Sequence, residues 1–140
     1  MVSKETRWLG RELKRQINSA AKFIQDLSLR AEDASLLFGD FLDDFYRASK
    51  EEKVQMLQLE PEAYDAVRDI DMVNIAATAH KLANDSGIPT PAWVFKDKYY
   101  AKEPYFPVRN SNLKLIYMFE SPSEFKHRNM FVSVNALSRI

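Results

Sequence analysis

The chain has 140 residues, 20 Lys and Arg against 20 Asp and Glu, no cysteine, and 46% hydrophobic residues. A domain of this size buries roughly 70% of the surface of its unfolded chain, so a core is available without staples. Lack of cysteine excludes disulfide, zinc–thiolate and thiol chemistry, and a neutral total removes the simplest argument for nucleic acid as partner.

The neutrality is a sum of opposed blocks. Residues 1–30 carry seven cations against three acids, a net of +4, and residues 31–71 carry twelve acids against four cations, a net of −8. Residues 72–107 and 108–140 come to +1 and +3. Either basic and acidic helices neutralise each other within a Debye length of ~10 Å, or an acidic face is offered to a basic partner.

From Lys4 to about Leu27, apolar Trp8, Leu9, Leu13, Ile17, Ile24 and Leu27 recur at steps of three and four, which predicts an amphipathic helix. The stretch from Ala31 to Ala48 repeats the pattern with Leu37, Phe41, Leu42 and Phe45, leaving Asp40, Asp43 and Asp44 outside. Ser49 and Glu52 have capping-box spacing and predict a helix start. Pro61 is read as the first helical residue of a long element running from Glu62 to about Asn84. Its apolar width predicts a central helix buried on more than one side, ended by Gly87 in a left-handed conformation and by Pro89.

After Gly87 the composition changes. Five of the six prolines and ten of the 17 aromatic residues fall in this half. Thr90–Trp93 reads as a cap and a short helix, and Tyr105-Phe106-Pro107 as extended or turning. Leu113–Phe119, six apolar residues in seven, reads as a buried helical turn or a strand, with a short helix preferred because no partner strand is evident. Ser121-Pro122-Ser123-Glu124 has capping-box spacing with Pro at the first helical position, and Met130–Val134 alternates as an extended segment. The expected fold is therefore mostly α. A single domain combines a helical bundle over 1–86 with an irregular, aromatic- and Pro-rich half of short helices and loops over 87–140, packed upon it.

Catalytic signals are weak. His80 has Ala76, Ala77, Ala83 and Asn84 at helical neighbour spacing, so no carboxylate completes a metal pair, and His127 lies among cations. Asp40, Asp43 and Asp44 read as solubilising charge, and no nucleophile elbow or phosphate-cradling glycine loop occurs. The expectation is no enzyme, no metal and no cofactor. The charged first fifteen residues do not form a secretion signal, and no run reaches the ~18 apolar residues of a membrane helix, so a cytoplasmic protein is expected.

Two sets of residues are candidate surfaces. A protein partner would be met by Asp40, Asp43 and Asp44 in the acidic block, by Trp93, Tyr99, Tyr105 and Phe106 among the aromatics, and by Arg128 and Asn129. In the alternative, a nucleic-acid-associated regulator, Arg7, Arg11, Lys14, Arg15, Lys126 and Arg128 would contact phosphates, although no compact helix-turn-helix spacing is present.

Pro91-Ala92-Trp93-Val94, then Glu103-Pro104-Tyr105-Phe106, and the ending Glu120-Ser121-Pro122-Ser123-Glu124-Phe125-Lys126-His127-Arg128-Asn129-Met130-Phe131-Val132 with Asn135-Ala136-Leu137-Ser138 form a specific pattern. Together with Phe41-Leu42-Asp43-Asp44-Phe45-Tyr46, it resembles a widespread, largely uncharacterised bacterial family of small cytosolic proteins over about residues 36–138. Relatives in that family stand alone or behind helix-turn-helix regulators, in settings suggestive of toxin–antitoxin modules. The resemblance implies an antitoxin-like or regulatory interaction protein, with a cognate toxin or regulator as partner, and carries no catalytic residues. The first helix of this chain does not look like the regulator domain of longer relatives.

Overall fold

The computed structural model describes residues 18–139. Among the described residues six α-helices follow one another: α1 (Ala20–Leu29), α2 (Ala34–Arg47), α3 (Lys50–Gln58), α4 (Asp69–Ser86), α5 (Ser111–Glu120) and α6 (Ser123–Lys126). Short 3-10 turns occupy Ala31–Asp33, Ala92–Phe95 and Asp97–Tyr99. The mostly α fold expected from the sequence is present, and strand-like pairing among the described residues is confined to one parallel bridge between Tyr105 and Met130.

The Ser19 hydroxyl starts α1 by accepting the Lys22 N–H at 3.0 Å. Ala20, Phe23, Ile24 and Leu27 then fall on one face and are buried. Phe23 packs against Phe38 and Phe41 of α2, with ring centroids 5.5 and 6.2 Å apart. The part of the predicted first helix before residue 18 lies outside the described residues. At α3 the predicted capping box forms: Ser49 Oγ accepts the Glu52 N–H, and Glu52 accepts the Ser49 N–H in return.

α4 is the central element, with nine buried residues around its circumference, from Met72 to Ala83. Its start differs from the predicted one. Residues 61–68 are not helical, Pro61 is buried, and the helix begins at Asp69. A turn in which Val67 N–H donates to the Tyr64 carbonyl intervenes. Asp71 then supplies the cap by accepting the Arg68 N–H. Pro at a helix start is permissive, and here the stronger local signal is the Arg68–Asp71 cap. At the other end Gly87 adopts φ +67°, the left-handed stop expected of it.

Ile88, Trp93, Val94, Tyr99, Phe125, Met130, Val132 and Leu137 join the same core as Phe41, Leu57 and Ile75, so the two halves of the chain share one interior. α1 and α3 cover one side of α4, and α6 with the 3-10 turns Ala92–Phe95 and Asp97–Tyr99 cover another. Each fully buried large apolar side chain contributes ~1.5–3 kcal/mol relative to exposure. Ser121 does not cap α6 as its spacing suggested. It is buried, and its hydroxyl accepts the Val132 N–H at 3.1 Å and lies 3.4 Å from the Met130 carbonyl. Pro122 occupies the N-cap position instead, without a side-chain cap.

Candidate interaction surfaces

Arg128 is the largest side chain buried to this degree, with 1% of its surface exposed. Nη2 donates to the Val94 carbonyl at 2.9 Å and Nη1 to the Glu124 carbonyl at 2.8 Å. Nη1 also lies 3.1 Å from His80 Nδ1. A guanidinium has no acceptor, so Nδ1 must accept, which places the proton on Nε2 of a neutral ring. Burial lowers the His80 pKa, and the Arg128 charge lowers it further. The cation is roofed by Tyr100 and Phe95, whose ring centroids lie 4.9 and 6.0 Å from its guanidinium carbon. Burial also lowers the pKa of Arg128 itself, against the pull of the Tyr100 and Glu124 charges.

The neighbouring Asn129 has φ +67°, a conformation that asparagine tolerates better than most side chains. Its carbonyl accepts the Tyr105 N–H, and the Tyr105 carbonyl accepts the Phe131 N–H, both at 2.9 Å. Ala101 N–H donates to the Arg128 carbonyl at 3.0 Å. Residues 101–105 are thus stitched to 128–131. Arg128 and Asn129, proposed from sequence as partner-facing, hold the chain's own loops together.

The aromatic candidates divide. Trp93 and Tyr99 are core residues: the Trp93 indole N–H donates to the Leu57 carbonyl at 2.8 Å, and the two rings meet edge to face at 5.2 Å. Tyr99 OH donates to Glu60 at 2.6 Å. Glu60 also receives Lys96 at 2.7 Å and Lys98 at 3.3 Å. Hydrogen bonds from Lys96 and Tyr99 hold its carboxyl down to about 2, despite an opposing effect of burial. Burial and the Glu60 carboxylate together raise the Tyr99 hydroxyl. Tyr105 and Phe106 are half-buried, and Phe106 stacks on Phe131 with centroids 4.9 Å apart. Tyr105 borders a cleft of about 740 Å³ whose walls mix Asp69, Asp97 and Glu103 with Lys98 and Lys102. Its charges oppose one another.

Part of the acidic block is paired within the chain. Asp43 receives both Nε and Nη2 of Arg139, at 3.0 and 3.3 Å, and hydrogen bonding to Arg139 lowers its pKa. Asp44 receives Arg47 at 2.9 Å and the Asn18 amide at 2.7 Å. Asp71 pairs with Arg68, and Asp33 with Arg30. Asp40 stays exposed on α2. Of the phosphate-contact candidates, Arg7, Arg11, Lys14 and Arg15 lie outside the described residues. Lys126 donates to the Phe119 carbonyl at 3.2 Å, and Arg128 is buried.

No cluster of three or more His, Asp or Glu among the described residues can hold a metal ion. No helix among them is long and apolar enough to cross a membrane.

The main surface feature is one the sequence reading missed. Asn110 accepts the Asn112 and Leu113 N–H groups and starts α5, yet none of the ten residues of this helix is buried. Leu113, Leu115, Ile116, Met118 and Phe119 are 40, 55, 48, 48 and 78% exposed. The segment is helical, as preferred, but it lies on the outside rather than in the core. A helix apolar on nearly every side is ordinarily buried. The available sequence signal was the absence of a polar face, which shows that α5 wants covering and not what covers it.

Comparison with known proteins found no family model, no curated protein and no solved structure that matches the chain.

Proposed function

We propose that the chain is a non-catalytic protein-interaction module that meets another polypeptide through the outer side of α5. The observation that carries this reading is the set of five large apolar side chains that the chain's own core leaves in water. The motif-level resemblance to small bacterial proteins from toxin–antitoxin settings directs the module toward an antitoxin-like or regulatory role in the cytoplasm. In that role a cognate toxin or regulator is met by the module as assembled through α5.

The test compares the native sequence with Phe119→Glu as immobilised baits for the product of the neighbouring gene, at low salt. Capture by the native chain and loss with the variant support the reading. If neither bait retains that product and neither chain associates with itself, the reading fails.

A further inference from the structure

We infer that the polypeptide seated on α5 is a second copy of this chain, paired helix to helix about a two-fold axis; this rests on the reading of α5 as the interaction surface. Three observations select this occupant.

The first is charge. Asn112, Leu115, Ile116, Met118 and Phe119 are exposed and uncharged, and they form the outward side of the helix. The two charged residues of α5 are engaged within the chain. Lys114 lies over the Phe106 ring at 5.8 Å, and Glu120 accepts the Val134 N–H at 3.2 Å. A surface without a sign offers nothing to steer a basic or an acidic partner, and the surface it matches best is another of its kind.

The second is area. Weighted by their exposed fractions, Leu115, Ile116, Met118 and Phe119 present on the order of 450 Å² per copy, and pairing would remove at most ~900 Å², the size of a weak, concentration-dependent interface. Val134, 51% exposed, is held near the end of α5 by its N–H donating to Glu120.

The third is the spacing of the anchors. Leu115 and Phe119 lie one turn apart on the outer side. An antiparallel arrangement with the axis passing between them seats Phe119 on Leu115 of the partner subunit, and the reverse, so each contact occurs twice. Helices carrying such side chains approach to ~8–10 Å.

The experiment is sedimentation equilibrium of the full chain up to about 100 µM, where mass action favours the associated form. The expected result is a concentration-dependent rise to twice the chain mass. Leu115→Glu and Phe119→Glu should each raise the dissociation constant at least ~10-fold, with unchanged helical circular dichroism. The lack of native cysteine allows a direct test of register. Under oxidising conditions, a mixture of Leu115→Cys and Phe119→Cys chains should form the mixed disulfide faster than either chain alone forms its own.

A native chain that stays monomeric throughout, or a dimer that survives both glutamates, overturns the proposal. If the native chain is monomeric yet captures another protein in a Phe119-dependent way, the second copy is refuted and the interaction reading stands. A monomer that captures nothing refutes both.

Discussion

Arg128 donates to the carbonyl of Val94, 34 residues earlier in the chain, at 2.9 Å. With Glu124 and His80, that contact ties the 3-10 turn after Pro91 and the start of the C-terminal segment to α4 through one buried cation. Burying an unpaired charge is costly, and here backbone carbonyls, a neutral imidazole and two aromatic faces replace the water of Nη1 and Nη2, while Nε is buried without a hydrogen-bond partner.

Removing this cation should therefore cost stability rather than a binding function. Arg128→Met strands two carbonyls and His80 Nδ1 without their donors, and an expected loss of about 2–4 kcal/mol follows from desolvated groups left unpaired. Arg128→Lys should recover only part of it, since an ammonium cannot reproduce a planar fork aimed at two carbonyls. Urea denaturation of the two variants checks both expectations.

His80 should remain neutral, with its proton on Nε2, to a lower pH than a free imidazole. Its depressed pKa means that the unfolded chain binds the proton more readily, so this contribution to stability is present above about pH 6.5 and is lost as pH falls. Nitrogen-15 shifts of the ring should show Nδ1 as the unprotonated acceptor at neutral pH. A protonated Nδ1 there would refute the clasp as described.

Glu60 sets an acid limb. Its folded-state pKa of about 2 lies below the ordinary 4.5, so its stabilisation is in full force above about pH 4.5 and falls away as pH drops toward 2. Three donors share this carboxylate at a partly open site, and solvent screening holds its contribution to about 1–2 kcal/mol. Glu60→Gln should lower stability at pH 7 and flatten the stability profile below pH 4.5. An unchanged profile would show that Lys96 and Tyr99 do not engage the carboxylate in solution.

Phe41 and Phe119 make a contrast within one residue type. Phe41 is fully buried, and Phe41→Ala should cost about 3–5 kcal/mol through lost burial and a cavity. Phe119 is 78% exposed, and Phe119→Ser should change the stability of the dilute chain by less than ~0.5 kcal/mol. Thermal melts at low protein concentration separate the two, and a large loss at Phe119 would place that ring in the folding core.

The helices from Ala20 to Gly87 were legible because the information was local. Steps of three and four among Leu37, Phe41, Leu42 and Phe45, the Ser49–Glu52 box and the stop at Gly87 each act over a few residues. The start of α4 was misplaced because Pro61 is compatible with a helix start without requiring one, whereas the Arg68–Asp71 cap requires it. At the candidate surfaces the difficulty was of another kind. Trp93, Tyr99 and Arg128 have the composition of a binding hot spot, but their partners Leu57, Glu60 and Val94 are distant in sequence, and no local pattern announces them. α5 shows the converse. Its apolar run looks like core, and only the tertiary arrangement leaves it outside.

The position of α4 as a wall common to both halves has a consequence for how the molecule can be assembled. A fragment ending near Gly87 would carry α1 and α3 on one side of that wall and leave bare the side that Trp93, Val94, Tyr99 and Phe125 normally cover. A separate peptide spanning residues 88–140 holds the matching apolar side chains and the Arg128 fork. Cut at that loop, the protein should become a two-piece reporter, whose halves restore the Arg128–His80 contact only when they meet.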